Sequence, residues 1–186
     1  MTLTLAGKKI AILVANGFDE NQMAEVQRAL MKAKADIRTI SPEQGVVNGW
    51  QGEGWGHHFP VNTPIGEALG SDFDMLILPG GMRSVVRLKT NPHTRRIVNH
   101  FIAAEKPIAA IGEGVSLLAL SSALQDHVLA APVEAHEELE AVGAGISDET
   151  QMTYGYLLTA DGSDCSAWVE SAVAFFADSG ITQAAA

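Results

Sequence analysis

Apolar residues enter this chain in short continuous bursts that alternate with stretches of helical spacing. Ile10-Ala-Ile-Leu-Val14 is an apolar run of β-branched character that halts at Asn16-Gly17, the pattern of a strand buried on both faces and closed by a turn. Met23, Val26, Leu30 and Ala33 then recur at helical spacing between Asp19 and Lys34, with Asp19 and Glu20 placed near the positive end of the helix dipole. Ile37 to Ser41 predicts a second strand. The stretch from Ser41 to Thr63 is rich in Gly and carries Trp50, Trp55, His57 and His58, which predicts a hairpin or a long loop.

The alternation continues to the end of the chain. Phe73 to Leu78 is a buried strand ending at Pro79-Gly80-Gly81. Asn91-Pro92 supplies an N-cap and a first-turn proline, and Ile97, Val98, Phe101 and Ile102 mark a helix face that runs to Ala104. Pro107 to Ile111 predicts a third buried strand, Gly112-Glu113-Gly114 a tight turn, and Val115 to Leu120 a short apolar helix. A helix over Val133 to Ala141, strand material from Met152 to Thr159 and a last helix with Val169, Val173 and Phe176 on one face complete the set. Strand, turn and helix units with near-continuous apolar strands imply an α/β fold: right-handed crossovers and a mostly parallel sheet covered on both faces. No linker, repeat or charge block divides residues 1–186, so one domain is expected.

Composition narrows the function classes. The 186 residues are 47% hydrophobic and 18% charged, the content of a globular chain rather than a disordered one. Twelve Lys+Arg against 22 Asp+Glu give a formal net charge of -10, which repels a phosphate backbone and argues against nucleic acid as a partner. Cys165 is the single cysteine; it excludes an internal disulfide and a Cys-based metal site, and it fits a reducing, cytoplasmic location. The lysines at the N-terminus follow the first apolar residues, and no apolar run approaches the roughly 18 residues that span a bilayer. No membrane association, cofactor or metal is expected. G-x-G-x-x-G after the first strand and G-x-x-x-x-G-K-[ST] are both missing, so nucleotide binding through those loops has no support.

In sheets of this kind ligands bind outside the carboxyl ends of the strands, which directs attention to the turns Asn16 to Glu20, Pro79 to Met82 and Gly112 to Gly114. Those turns, in this order, resemble the ThiJ/PfpI superfamily, which shares its fold with class-one glutamine amidotransferases. The resemblance rests on Asn16-Gly-Phe-Asp-Glu20 after the first strand, Leu76-Ile-Leu-Pro-Gly-Gly81, Lys106-Pro-Ile-Ala-Ala-Ile-Gly-Glu-Gly114 and Leu157-Leu-Thr-Ala-Asp-Gly162. It implies a flavodoxin-like three-layer sandwich, a homodimer and a pocket at the three turns. The family sets a nucleophilic Cys at a strained strand-to-helix elbow with a Glu from the first turn beside it, and includes peptidase, amidase, deglycase and glyoxalase-like activities. Here Ile111 and Gly114 set the register and Gly112 occupies the place of the nucleophile. Glu113 follows it where the protease-like branch has a His, Asp19 stands for the family's Glu, Ala131 beside Pro132 for a second His, and Asp161 for a basic residue after the last strand.

The resemblance therefore implies the fold, the dimer and the pocket, without the thiol chemistry. Glycine relieves the cost of about 1 to 3 kcal/mol that another residue pays at such an elbow. Asp19 and Glu113 are the candidate catalytic carboxylates, as acid and base or as ligand contacts at the amino end of the helix that follows. Gly80, Gly81, Gly112 and Gly114 are the candidate ligand-binding positions. The leading expectation is a non-catalytic relative that binds a small molecule or a protein partner; the alternative is a carboxylate-dependent hydrolase or lyase, amidase-, glyoxalase- or hydratase-like, using Asp19 and Glu113. His57 and His58, adjacent on an extended chain, point to opposite faces and make a poor chelating pair. Trp50 and Trp55 divide between core packing and a pocket rim or interface. Cys165 reads as an inert small residue, with a lowered pKa at the start of the last helix as the other reading.

Overall fold

The computed structural model describes residues 2–184, and side chains through residue 179. Its elements are β1 (Lys9–Leu13), β2 (Phe18–Asp19), α1 (Glu20–Lys32), β3 (Asp36–Ser41), β4 (Val46–Gln51), β5 (Gly54–Pro60) and β6 (Thr63–Pro64). A 3-10 turn at Gly70–Asp72 leads to β7 (Met75–Leu78), α2 (Met82–Lys89), α3 (Pro92–Ala103) and β8 (Ile108–Ile111). A 3-10 run over Gly112–Leu120 follows, then β9 (Val128–Leu129), α4 (Val133–Ala141), β10 (Gly145–Ile146), β11 (Gln151–Tyr154), β12 (Leu157–Ala160) and α5 (Cys165–Ala184).

Seven strands form the central sheet in the order β11-β12-β8-β7-β1-β3-β6. All neighbours pair in parallel except β11, which lies antiparallel to β12. Alternation along β1 divides the interior: Ala11, Leu13 and Ala15 face a core shared with α2, α3 and α4, while Ile10, Ile12 and Val14 face one shared with α1 and α5. Side chains on both faces of a strand are thus withdrawn from water, which is why β1, β7 and β8 read as unbroken apolar runs. This is the flavodoxin-like α/β sandwich expected from the sequence. From β1 the chain runs outward to β3 and β6, then returns to place β7 on the other side of β1. That reversal opens a crevice beyond the carboxyl ends of β1 and β7.

Four local readings differ from the expectation or sharpen it. The Gly-rich stretch is a hairpin, β4 against β5, with Trp50 opposite Trp55. The helix α2 has no Ser, Thr or Asp at its N-cap, which is Gly81, and spans eight residues; it lacks both the length and the start signal that mark a helix in sequence. The helix expected at Val115 begins at Gly112 and is 3-10 throughout. Gly112, Gly114, Val115, Ser116, Leu117 and Leu118 within it are buried, and the run packs against α2 and α4. The expected strand from Met152 to Thr159 is two strands, because Gly155 takes φ +59° and reverses the chain.

Candidate functional site

The elbow is present. Ile111 ends β8 in extended conformation, and Gly112 takes φ +59°, the left-handed region that side chains avoid. There is space above it: a Cβ on Gly112 would meet nothing closer than Gln22 Nε2 at 3.5 Å and Gly80 Cα at 3.9 Å. The turn keeps a geometry suited to presenting a side chain and presents none.

Gln22, rather than Asp19, is the first-helix side chain beside the elbow. Asp19 is the N-cap of α1, where Oδ1 accepts from the Gln22 N–H at 3.1 Å and the Asp19 N–H donates to Gly80 O at 2.9 Å. Asp-x-x-Gln is the signature of a capping box, in which the Gln side chain returns to the cap N–H. Here the Asp19 N–H is already taken, and the Gln22 side chain is diverted into the interior, where Oε1 accepts from Gly80 N–H at 2.7 Å. The spacing of Asp19 and Gln22 was the one sequence signal that could have revealed this. The correspondence between Asp19 and the family's Glu therefore does not hold in space, although Asp19 remains close by.

Glu113 closes the neighbouring donor. Its Oε2 accepts from Gly81 N–H at 3.0 Å. Gly81 itself has φ +106°, and a Cβ there would come within 2.5 Å of Asp19 N and 2.6 Å of Gly17 O, so only glycine allows the turns after β1 and β7 to touch. Two successive main-chain N–H groups beside the elbow are thus both occupied by side chains of the same chain. Such a pair is what would hold a developing oxyanion.

Next to this plugged elbow lies an open cavity of about 690 Å³, lined among others by Asp19, Trp50, Gln51, Gly81, Arg83 and Glu113. Both candidate carboxylates line it. Of the four glycines expected at a ligand site, Gly81 lies on the cavity lining, whereas Gly80, Gly112 and Gly114 lie outside it.

The β4–β5 hairpin forms one wall. Asn16 Oδ1 accepts from Asn48 N–H at 2.8 Å, and Gly17 N–H donates to Asn48 O at 2.8 Å. The second anchor is Glu20, 5% exposed, which the sequence pattern does not reveal because its partners lie over 30 positions away. Its carboxylate accepts from Gln51 Nε2 at 2.8 Å, the His57 main-chain N–H at 2.8 Å and His57 Nδ1 at 2.5 Å. Burial pushes the Glu20 carboxyl up, but the hydrogen bonds from His57 and Gln51 and the attraction of the ring outweigh it, so the group sits below its ordinary value. His57 remains exposed at its outer edge and His58 pairs with Asn48; the two do not converge. Trp50 lines the cavity and packs edge-on against the exposed Trp55, ring centroids 5.2 Å apart, so the pocket-rim reading applies to Trp50.

The remaining candidates are quiet. Burial, then the charges of Glu25 and Asp19, a hydrogen bond with Glu25 and the charge of Asp164 push the Cys165 thiol up to about 12, which corrects the reading of a lowered pKa and leaves the inert one. Ala131 is buried, and its carbonyl is bonded to His136 Nε2 at 2.9 Å. Asp161 holds its own turn through the Ser163 N–H at 2.8 Å. Among the described residues, no group of three or more His, Cys, Asp or Glu is placed to hold a metal ion, and no helix is long and apolar enough to cross a membrane.

A parallel α/β sandwich with a left-handed elbow at the carboxyl edge of its sheet defines a class of proteins built to present a nucleophile, here without one. The chain belongs to the DJ-1/PfpI family, which matches it over residues 8–174. It is 29% identical over 144 residues to general stress protein 18 of Bacillus subtilis, covering 77% of this chain and 81% of that one. It is 27% identical over 143 residues to protein/nucleic acid deglycase 2 of Escherichia coli, covering 76% and 81%. In fold it is similar to a ThiJ/PfpI domain protein from Brachyspira murdochii, with a TM-score of 0.83 at 18% identity over 93% of this chain and 98% of the other.

Proposed function

We propose that this protein is a non-catalytic member of its family that binds a small molecule or a protein partner in the cavity beside the retired nucleophile site. The occupation of the Gly80 and Gly81 N–H groups by Gln22 and Glu113 carries this reading. An acyl-transfer or carbonyl-addition site needs an attacking side chain and free donors for the oxyanion; Gly112 supplies no attacker, and the donors are taken. The open cavity next to them keeps the room and the polar groups of a binding site.

The purified protein is expected to show no turnover of dicarbonyl or peptide substrates above the uncatalysed rate, measured by substrate consumption at enzyme concentrations that give a clear signal for an active relative. The deglycase name carried by one relative is thus not transferred to this chain. The second reading, a hydrolase or lyase using Asp19 and Glu113, draws on the fact that both carboxylates line the same cavity. Turnover of a small carbonyl or isonitrile compound that disappears in Asp19→Asn and Glu113→Gln would select it over the first.

We also propose a cytoplasmic homodimer, in keeping with a single cysteine and a high apolar fraction for a small chain with 18% charged residues. Sedimentation at micromolar concentration is expected to give twice the chain mass; a monomer refutes the dimer.

A further inference from the structure

Deepening that reading of the cavity as a binding site, we propose that its ligand is a zwitterion of amino-acid to dipeptide size, with its carboxylate on Arg83 and its ammonium on Asp19 and Glu113. The cavity carries opposite charges that do not satisfy one another. The Arg83 guanidinium lies over the Trp50 ring, 4.2 Å from its centroid, and among the described residues it has no carboxylate partner. Arg38, Arg87 and Lys89, by contrast, are each ion-paired. No hydrogen bond engages the Arg83 guanidinium among the described residues, so its N–H fork remains available to take a carboxylate through two parallel hydrogen bonds.

The carboxylates on the same lining are half satisfied. Asp19 uses Oδ1 for the Gln22 N–H and Glu113 uses Oε2 for the Gly81 N–H; the second oxygen of each has no hydrogen-bond partner among the described residues. One unpaired cation and two half-paired carboxylates therefore share about 690 Å³. A simple anion on Arg83 would face two negative groups, and a simple amine on the carboxylates would leave the guanidinium unmatched. A molecule bearing both charges meets each wall with its opposite, and a second ammonium completes the balance. The stack also explains why Arg83 does not collapse onto the carboxylates: the indole holds it against the hairpin wall. The volume lies within the range of ordinary ligand pockets.

The test uses the whole chain and tryptophan fluorescence, since Trp50 lies under the cation, with calorimetry as a second readout. The probes are L-lysine, 4-aminobutyrate and glycylglycine, against acetate, propylamine and N-methylacetamide as controls. Saturable binding of the zwitterions, tighter than either singly charged control by about tenfold or more, is expected. Arg83→Met and Asp19→Asn should each remove most of that advantage, and Arg83→Lys should restore it in part, because it keeps the charge but not the fork. Arg83 is exposed, so its variants are expected to melt with the wild type. Zwitterions that bind no better than acetate or propylamine, or binding indifferent to Arg83 and Asp19, overturns the ligand class. If N-methylacetamide binds as well as the zwitterions, the ligand class fails while the cavity stands as a binding site; turnover of any probe would instead overturn the non-catalytic reading.

Discussion

Gly112→Cys is expected to fold, to melt below the wild type and to carry a thiol that alkylates faster than Cys165. The fold is retained because a Cβ at this position has no contact nearer than 3.5 Å. Stability falls because the residue must still take φ +59°, a region that costs a residue with a side chain about 1 to 3 kcal/mol; at this chain length each kcal/mol is worth about 2 to 4 °C of melting temperature. The thiol reacts faster because the Cys165 thiol, half-buried and surrounded by Glu25, Asp19 and Asp164, is pushed up to about 12, whereas the new one would stand beside the uncharged amide of Gln22. Iodoacetamide labelling followed by peptide mass analysis separates the two sites, and scanning calorimetry reads the stability. A variant more stable than the wild type would mean that the turn is not strained and that the elbow has been misassigned. The same experiment shows why restoring the thiol is not enough for catalysis: Gly80 and Gly81 N–H remain bonded to Gln22 and Glu113, so Gly112→Cys is expected to label without turning over a dicarbonyl.

The second large effect concerns Glu20. Replacing it with Leu removes one carboxylate that accepts three hydrogen bonds from the hairpin and leaves the Gln51 amide and the His57 N–H without their acceptor. Hydrogen bonds to a charged group are worth about 1.5 to 3 kcal/mol, and the three share one acceptor, so a loss of about 3 kcal/mol is expected rather than their sum. The hairpin should loosen first, seen as faster amide exchange over residues 46–60 and a red shift of Trp50 emission. The effect depends on pH in a defined direction. The folded-state pKa of Glu20 lies below the ordinary carboxylate value, so its contribution is complete above that value and disappears as the pH falls through the folded one. The stability gap between wild type and Glu20→Gln should therefore narrow on acidification from pH 7 towards pH 3. A gap that stays constant across that range would show that Glu20 does not pin the hairpin as a carboxylate.

Much of the fold was legible because the central strands of the sheet are buried on both faces and the flanking helices on one, which writes unbroken apolar runs and helical spacing into the chain. Ile10 to Val14, Leu76 to Leu78 and Ile108 to Ile111 could be placed for that reason, and Asn91-Pro92 marked the start of α3 through its own cap, Asn91 Oδ1 accepting from the His93 N–H. The short α2 and the reversal at Gly155 were not legible. The first is eight residues with no side-chain cap, and the second depends on a backbone angle that many glycines can adopt.

The sequence by itself determined the parallel α/β sheet, the turns at its carboxyl edge and the loss of a nucleophile at Gly112, because strand burial, turn residues and the missing thiol are properties of single positions and their near neighbours. The tertiary structure alone decided that Gln22 and not Asp19 stands beside the elbow, that the Gly80 and Gly81 donors are occupied, that Glu20 anchors the hairpin through His57, and that Arg83 lies on Trp50 without a carboxylate partner among the described residues, in a cavity shared with two carboxylates. Each of these pairs residues over 30 positions apart or diverts a side chain from its local partner. Which hydrogen bond or charge a side chain satisfies is settled only when the folded chain brings the competing partners within reach.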